Sequence, residues 1–332
     1  MPRHRFALSW FLIMSLSCTL VVAAGLSAGT PTVSANHQAN QTKQANITVP
    51  VFVTAKGKIQ QVPLEQYVLG VVAAEMPDRF AGEALKAQAI AARTYIIHKM
   101  LEARADRSRT PFFIKDSTVD QVYIEASAMQ RKWAAANDRE GLARLKAAVQ
   151  STRGTIITYQ NKPIDATYFS TSNGYTENSQ DYWGEQVPYL QSVASPWDRL
   201  LSNRYKTTIS MSYREFIRKL GIHSDSPRAL TRAMKVMERT DGKRIKTIRI
   251  GQQTLSGRQF REKLDLRSTH FTWTLGNEQI TITTYGNGHG VGLSQWGAQG
   301  MALKGVKAPQ ILKHYYRGVQ LSTVHSVWSK SK

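Results

Sequence analysis

The run Tyr67-Val-Leu-Gly-Val-Val-Ala-Ala-Glu75 constrains this chain most, because it is an apolar helical pattern that closes on a carboxylate and is followed at once by Met76-Pro77. Leu64, Tyr67, Val68, Val71 and Val72 form the apolar stripe, and Pro63 suits the first helical position. Pro77 disfavours the α conformation at Met76, so the helix is expected to stop there and leave Glu75 at a cleft edge. A carboxyl group at that place faces the negative pole of the helix dipole and is withdrawn from water, and both effects raise its pKa. A general acid is made this way. The same position also suits a solvated helix-end carboxylate, or one paired with Arg79.

A second helix is predicted from about residue 82 to 104, with Leu85, Ala89, Ala92 and Ile96 on one face and alanines that permit close packing. Lys86 and Arg93 are seven positions apart and share one side of it, next to Ile90 and Ile97. They are either solvated cations or cations that border apolar surface. Upstream, Ile47 to Val53 and Ile59 to Val62 alternate as a β-hairpin around Ala55-Lys-Gly-Lys58. Helical patterns follow at 127–136 and 139–150. A second hairpin is predicted from strands 154–159 and 164–169 around Asn161-Lys162-Pro163, leading into the polar loop Ser170 to Asn178. Short helices at 213–220 and 256–264, the latter with a Ser256/Gln259 capping box, accompany strands at 245–250 and 279–284. Helices and hairpins interleave without a βαβ rhythm, which predicts an α+β fold around a substrate cleft.

The net charge of +21 is the global anomaly, and it attracts polyanions: nucleic acid, anionic lipid or acidic glycan. No zinc-finger spacing or RNA-recognition signature accompanies it. Phe6 to Leu26 is apolar, follows Arg3-His4-Arg5, and is about long enough to cross a bilayer as a helix. Arginines ahead of it favour a cytoplasmic N-terminus. The expected organisation is a cytoplasmic start (1–5), a transmembrane anchor (6–28), a polar tether (29–46), an extracytoplasmic domain (47–325) and a basic tail (326–332). A cleaved signal peptide, with Leu26-Ser27-Ala28 as processing site, is the alternative. Cys18 is the only cysteine and falls in that segment, so the exported part has no disulfide and no cysteine-ligated zinc. Export also excludes nucleic acid as the expected partner.

Near the C-terminus, glycine occupies every second position from 286 to 292 in Tyr285-Gly-Asn-Gly-His289-Gly-Val-Gly-Leu-Ser294-Gln-Trp. Such a segment allows tight turns and close approach to a ligand, with His289, Ser294 and Gln295 offering hydrogen bonds. A structural turn around a buried histidine fits as well. It matches neither a phosphate-binding loop nor a dinucleotide fingerprint.

Four segments in order, Val62 to Pro77, Glu83 to Tyr95, Tyr168-Phe-Ser-Thr-Ser-Asn-Gly174 and the His289 segment, resemble the stage II sporulation protein D family over about residues 47 to 322. The resemblance implies a peptidoglycan lytic transglycosylase in which Glu75 falls on the catalytic glutamate. As acid it protonates the glycosidic oxygen after N-acetylmuramic acid; as base it then takes the proton of the sugar's 6-hydroxyl, closing a 1,6-anhydro ring without water or a second carboxylate. That differs from the two-carboxylate hydrolase plan. Lys86 and Arg93 fall on positions implied to line the cleft and pair with lactyl carboxylates of denuded glycan. Gln88, Ser172, Asn173, Tyr189, His289, Ser294 and Gln295 complete the implied substrate contacts. Tyr189 and Trp183 are candidates for sugar stacking or for simple packing. The resemblance further implies a single-pass protein between mother cell and forespore, with stage II sporulation proteins P and M as partners. Some members hold zinc after the second helix; 116–133 here has neither cysteine nor histidine, so no metal and no cofactor is expected. The same domain is also similar to a cell-wall amidase enhancer, a binding protein that does not cleave glycan.

Overall fold

The computed structural model describes residues 47–106 and 112–329. The predicted anchor and tether, and the last residues of the basic tail, lie outside them. Among the described residues no helix is long and apolar enough to cross a membrane.

Helices alternate with small sheets of two or three strands, an α+β arrangement. Strand β1 (Thr48–Val53) pairs antiparallel with β2 (Lys58–Pro63) through a single 3-10 turn that Gly57 closes at φ +60°. Val49, Val51 and Val53 all point into the core. Helix α1 (Leu64–Glu75) starts without a linker: Pro63 is still paired with Thr48 and stands just outside the helix, not at its first position. Tyr67, Val68, Val71 and Val72 are fully buried, and burying each such side chain contributes roughly 1.5–3 kcal/mol. Helix α2 (Gly82–Ala105) packs across α1, while α3 (Ala126–Ala135) and α4 (Arg139–Ser151) close around them.

Strands β3 (Ile114–Lys115), β4 (Thr155–Tyr159) and β5 (Lys162–Pro163) follow, β3 parallel to β1 and β5 antiparallel to β4. The expected return strand 164–169 does not form. The return ladder along β4 ends after Lys162–Pro163, and Tyr168–Phe169 (β6) crosses over to pair in parallel with Leu293–Ser294, while Gln320–Thr323 pairs with the opposite edge of β4. That crossover carries the Ser170 loop and the glycine-rich segment to the end of α1.

Residues 206–285 build a second hydrophobic core of their own, with Phe216, Phe260, Phe271, Ile248, Ile280 and Ile282 at its centre. Two three-stranded sheets and the helices Tyr213–Leu220 and Gly257–Leu264 enclose it. The helix Gly257–Leu264 carries the capping box read from the sequence.

Candidate active site

Glu75 is the last residue of α1, and the chain turns to extended backbone at Met76 before Pro77. Two hydrogen bonds hold its carboxyl group. Oε1 accepts from the backbone N–H of Val122 at 3.3 Å, and Oε2 accepts from Gln295 Nε2 at 3.2 Å. The first depends on Gly70: a β-carbon there would lie 2.3 Å from the Tyr123 ring and 2.6 Å from the Ile124 carbonyl, so only glycine lets the segment 121–124 lie along the helix. Burial lifts the pKa of Glu75 above its ordinary value, and the bonds from Gln295 and Val122 partly oppose it. Among the described residues no cation lies within ion-pair distance, so the pairing with Arg79 does not occur.

Two cavities meet at this carboxyl group. The smaller, about 410 Å³, is lined by Phe80, Trp296 and the exposed cations Arg79, Lys132 and Arg204. The larger, about 560 Å³, is walled by aromatic groups, among them Tyr168, Tyr182, Trp183 and His289, with Arg258 and Arg261 on its edge. Glu75, Ser170 and Gln295 line both. A long ligand that occupied the two cavities would therefore pass the acid in its middle. Asp120 is the other carboxylate in the larger cavity's wall; its Oδ2 accepts from the Lys115 N–H at 2.8 Å, and its charge is not among the influences on Glu75.

The predicted contacts divide. Gln295 touches the acid. His289 lines the larger cavity with both ring nitrogens engaged: Nε2 donates to the Tyr168 carbonyl at 3.0 Å, and Nδ1 accepts from the Val291 N–H at 3.1 Å. Burial pushes its pKa down to about 4, so it is a neutral wall residue with no free nitrogen for proton transfer. Trp183 stands beside it at 5.3 Å between centroids and is 42% exposed, open to stacking by a sugar.

The other expected contacts lie outside both cavities. Arg93 is fully buried, and its guanidinium grips Glu65 at 2.9 and 2.6 Å and the Thr155 carbonyl at 3.2 Å; it joins α1 to α2 and β4 and does not reach the cleft. Lys86 pairs with Glu83 at 2.9 Å, one turn back on its own helix. Gln88 is fully buried, and neither its amide nitrogen nor its oxygen has a hydrogen-bond partner. Ser172 and Ser294 converge on the buried Asp198: the Ser172 N–H and the Ser294 hydroxyl both donate to its Oδ1. Asn173 donates to the Gly242 carbonyl and meets His270 Nδ1, each at 2.8 Å. Tyr189 accepts from the Asp165 N–H at 3.0 Å and packs on Tyr159.

In the glycine-rich segment, Gly288 and His289 line the larger cavity, and the backbone turns tightly. Glycines 286, 288, 290 and 292 all have positive φ, and each permits close approach of the chain to itself, as at Gly292, where a β-carbon would lie 2.2 Å from the Thr167 carbonyl. Unanticipated members of the site are Gln121, Tyr168, Lys132, Arg204, Arg258 and Arg261. Arg258 and Arg261 left a signal in a three-residue helical spacing that sets both on one face, and Tyr168 opens one of the four segments that carry the family resemblance. Among the described residues no cluster of three or more histidine, cysteine or acidic side chains is placed to hold a metal.

Fold and site define an α+β protein with one withdrawn carboxyl group at the junction of two groove-like cavities. The family model described as stage II sporulation protein matches residues 54–159. The stage II sporulation protein D of Bacillus amyloliquefaciens is 45% identical over 288 residues, covering 87% of this chain and 82% of that one, and the Bacillus subtilis protein of the same name is 43% identical over 296 residues, covering 89% and 85%. The chain belongs to the stage II sporulation protein D family. It is also similar to the amidase enhancer of Bacillus subtilis, 29% identical over 306 residues, covering 76% of this chain and 40% of that protein.

Proposed function

We propose that this chain is a lytic transglycosylase that cuts peptide-free peptidoglycan strands after N-acetylmuramic acid and leaves 1,6-anhydro ends. The observation that carries the reading is a single carboxyl group, raised in pKa by burial, lining two cavities at once. A raised pKa favours the protonated form of Glu75, the form that can donate to the glycosidic oxygen. The sugar's own 6-hydroxyl then returns its proton to the same carboxylate as the ring closes, so one acid suffices where hydrolysis needs two.

Free carboxylates on a stripped strand are matched by Arg79, Lys132 and Arg204, exposed cations on the smaller cavity that make no ion pair among the described residues. They replace Lys86 and Arg93 as the electrostatic basis for preferring denuded glycan. In this reading the chain is anchored by residues 6–28 and acts on the wall between mother cell and forespore, with stage II sporulation proteins P and M as partners.

The likeness to a protein named amidase enhancer supports a second reading, a glycan-binding protein that stimulates another hydrolase. Incubating the purified chain with peptide-free strands and analysing the products by mass spectrometry separates the two. Anhydro-ended fragments that disappear with Glu75→Gln support transglycosylation. Intact strands that still bind support the enhancer.

A further inference from the structure

Tyr168 is held at both ends. Its backbone is fixed in the two-residue strand β6, where His289 Nε2 donates to its carbonyl at 3.0 Å. Its ring forms part of the wall that also contains Glu75, and its hydroxyl accepts from Gln121 Nε2 at 3.1 Å. Gln121, only 1% exposed, is oriented in turn by the fully buried Tyr67, whose hydroxyl donates to Oε1 at 3.0 Å. Tyr67 lies on α1, the helix that ends in Glu75. One rigid helix thus sets both the acid and the far end of the relay.

The direction of this relay has a chemical consequence. With Gln121 donating to it, the phenol oxygen has used its acceptor capacity on the protein, and its proton cannot return to an amide nitrogen. Among the described residues no protein acceptor takes that proton. Tyr168 lines the cavity, and burial, with the nearby Glu75, raises its pKa well above the ordinary value, so the hydroxyl stays a neutral donor.

Resting on the reading of this cleft as a glycan-cutting site, we propose that Tyr168 Oη donates to the acetamido carbonyl of the sugar bound beside Glu75, so that the enzyme selects N-acetylated strands. A donor-only group selects an acceptor-only partner. The strand's strong acceptor-only groups are amide carbonyls and lactyl carboxylates, its ether oxygens being weaker acceptors. The carboxylates are drawn to the cations, Arg79, Lys132 and Arg204 on the smaller cavity and Arg258 and Arg261 on the edge of this one, which leaves the amide carbonyl to the uncharged phenol. Ring hydroxyls donate as well as accept and gain no selectivity from such a group.

The test compares the wild-type chain, Tyr168→Phe and Gln121→Leu on peptide-free strands that are either fully N-acetylated or chemically de-N-acetylated. The readout is kcat/KM from anhydro-product formation. The wild type is expected to prefer acetylated strands, and Tyr168→Phe to lose about tenfold on them, the equivalent of ~1.4 kcal/mol, while losing little on deacetylated strands. Gln121→Leu, which leaves the phenol unaimed, is expected to narrow the preference in the same direction by less, and it carries the test alone if Tyr168→Phe does not fold. Comparing preferences between variants cancels the effect of the new amine charge. An acetylated-to-deacetylated ratio unchanged by both substitutions would overturn the proposal, even if overall rates fall. If the wild type binds strands without cutting them, the transglycosylase reading has failed separately, and the same ratio is read from dissociation constants.

Discussion

Gln295 Nε2 lies 3.2 Å from Glu75 Oε2 across a sequence separation of 220 positions, so the two most distant motifs of this chain meet on one proton. An amide donor to a carboxyl group stabilises the ionised form, whereas burial stabilises the neutral one. Burial outweighs the two hydrogen bonds, and the pKa of Glu75 stands above its ordinary value.

Gln295→Leu removes the stabilising donor, so the pKa of Glu75 rises further. Strand cleavage that needs the protonated acid falls off as pH increases through that pKa. The alkaline limb of the pH–rate profile is therefore expected to move to higher pH in Gln295→Leu, as measured by product formation across a pH series. A limb that stays fixed or moves to lower pH would show that Gln295 does not tune this acid.

Glu75 and Asp120 separate the one-carboxyl mechanism from the two-carboxyl one. Glu75→Gln is expected to reduce cleavage by about 10²–10⁴-fold, the usual contribution of a general acid–base, with strand binding retained. Asp120→Asn is expected to leave cleavage within a small factor of wild type, because Asp120 is engaged with the Lys115 N–H. Equal losses in the two variants, with products that carry a reducing end, would instead identify a hydrolase.

The acid itself was legible in the sequence because its cause is local: an apolar helical run, a carboxylate and a proline stand side by side. Helix bounds were legible for the same reason, as at Tyr213–Leu220. Side-chain destinations were not. Helical spacing put Lys86 and Arg93 on one side of α2, but what that side meets is decided by α4 and β4, which come later in the chain. The shortened hairpin has the same origin: its return strand stops at Pro163, and Tyr168–Phe169 pairs with Leu293–Ser294, a partner too remote for local alternation to reveal. Arg79, Lys132 and Arg204 gather on one cavity only after folding.

Arg93 provides a stability prediction. Its bidentate pair with Glu65 is almost wholly out of water, with side-chain exposures of 0% and 15%. Removing one partner of such a pair strands the other charge and costs about 3–5 kcal/mol. Glu65→Gln is thus expected to lower the urea midpoint with little change in slope, while the protein that remains folded cuts strands at a normal KM. Unchanged stability with a raised KM would return Arg93 to the cleft.

His289 sets the acid side of the profile. Its folded pKa, pushed down to about 4 from an ordinary 6.5 mainly by burial, with Arg261 and Arg244 adding repulsion, means that folding favours the neutral ring. The stability this contributes is complete above pH ~6.5 and is lost as pH falls toward the folded value. His270, also depressed to about 4 by burial and by Arg244 and Arg239, acts in the same direction. Protonation of His289 would also place a hydrogen on Nδ1, which now accepts from Val291, and so break the contact that pins the glycine-rich wall. Denaturant midpoints are therefore expected to fall between pH 6.5 and 4, and nitrogen chemical shifts are expected to show the His289 ring as the neutral Nε2–H tautomer until close to pH 4. Titration near 6.5 would mean that the ring is solvated. Cleavage should then peak between two limits, the loss of this wall on the acid side and the deprotonation of Glu75 on the alkaline side.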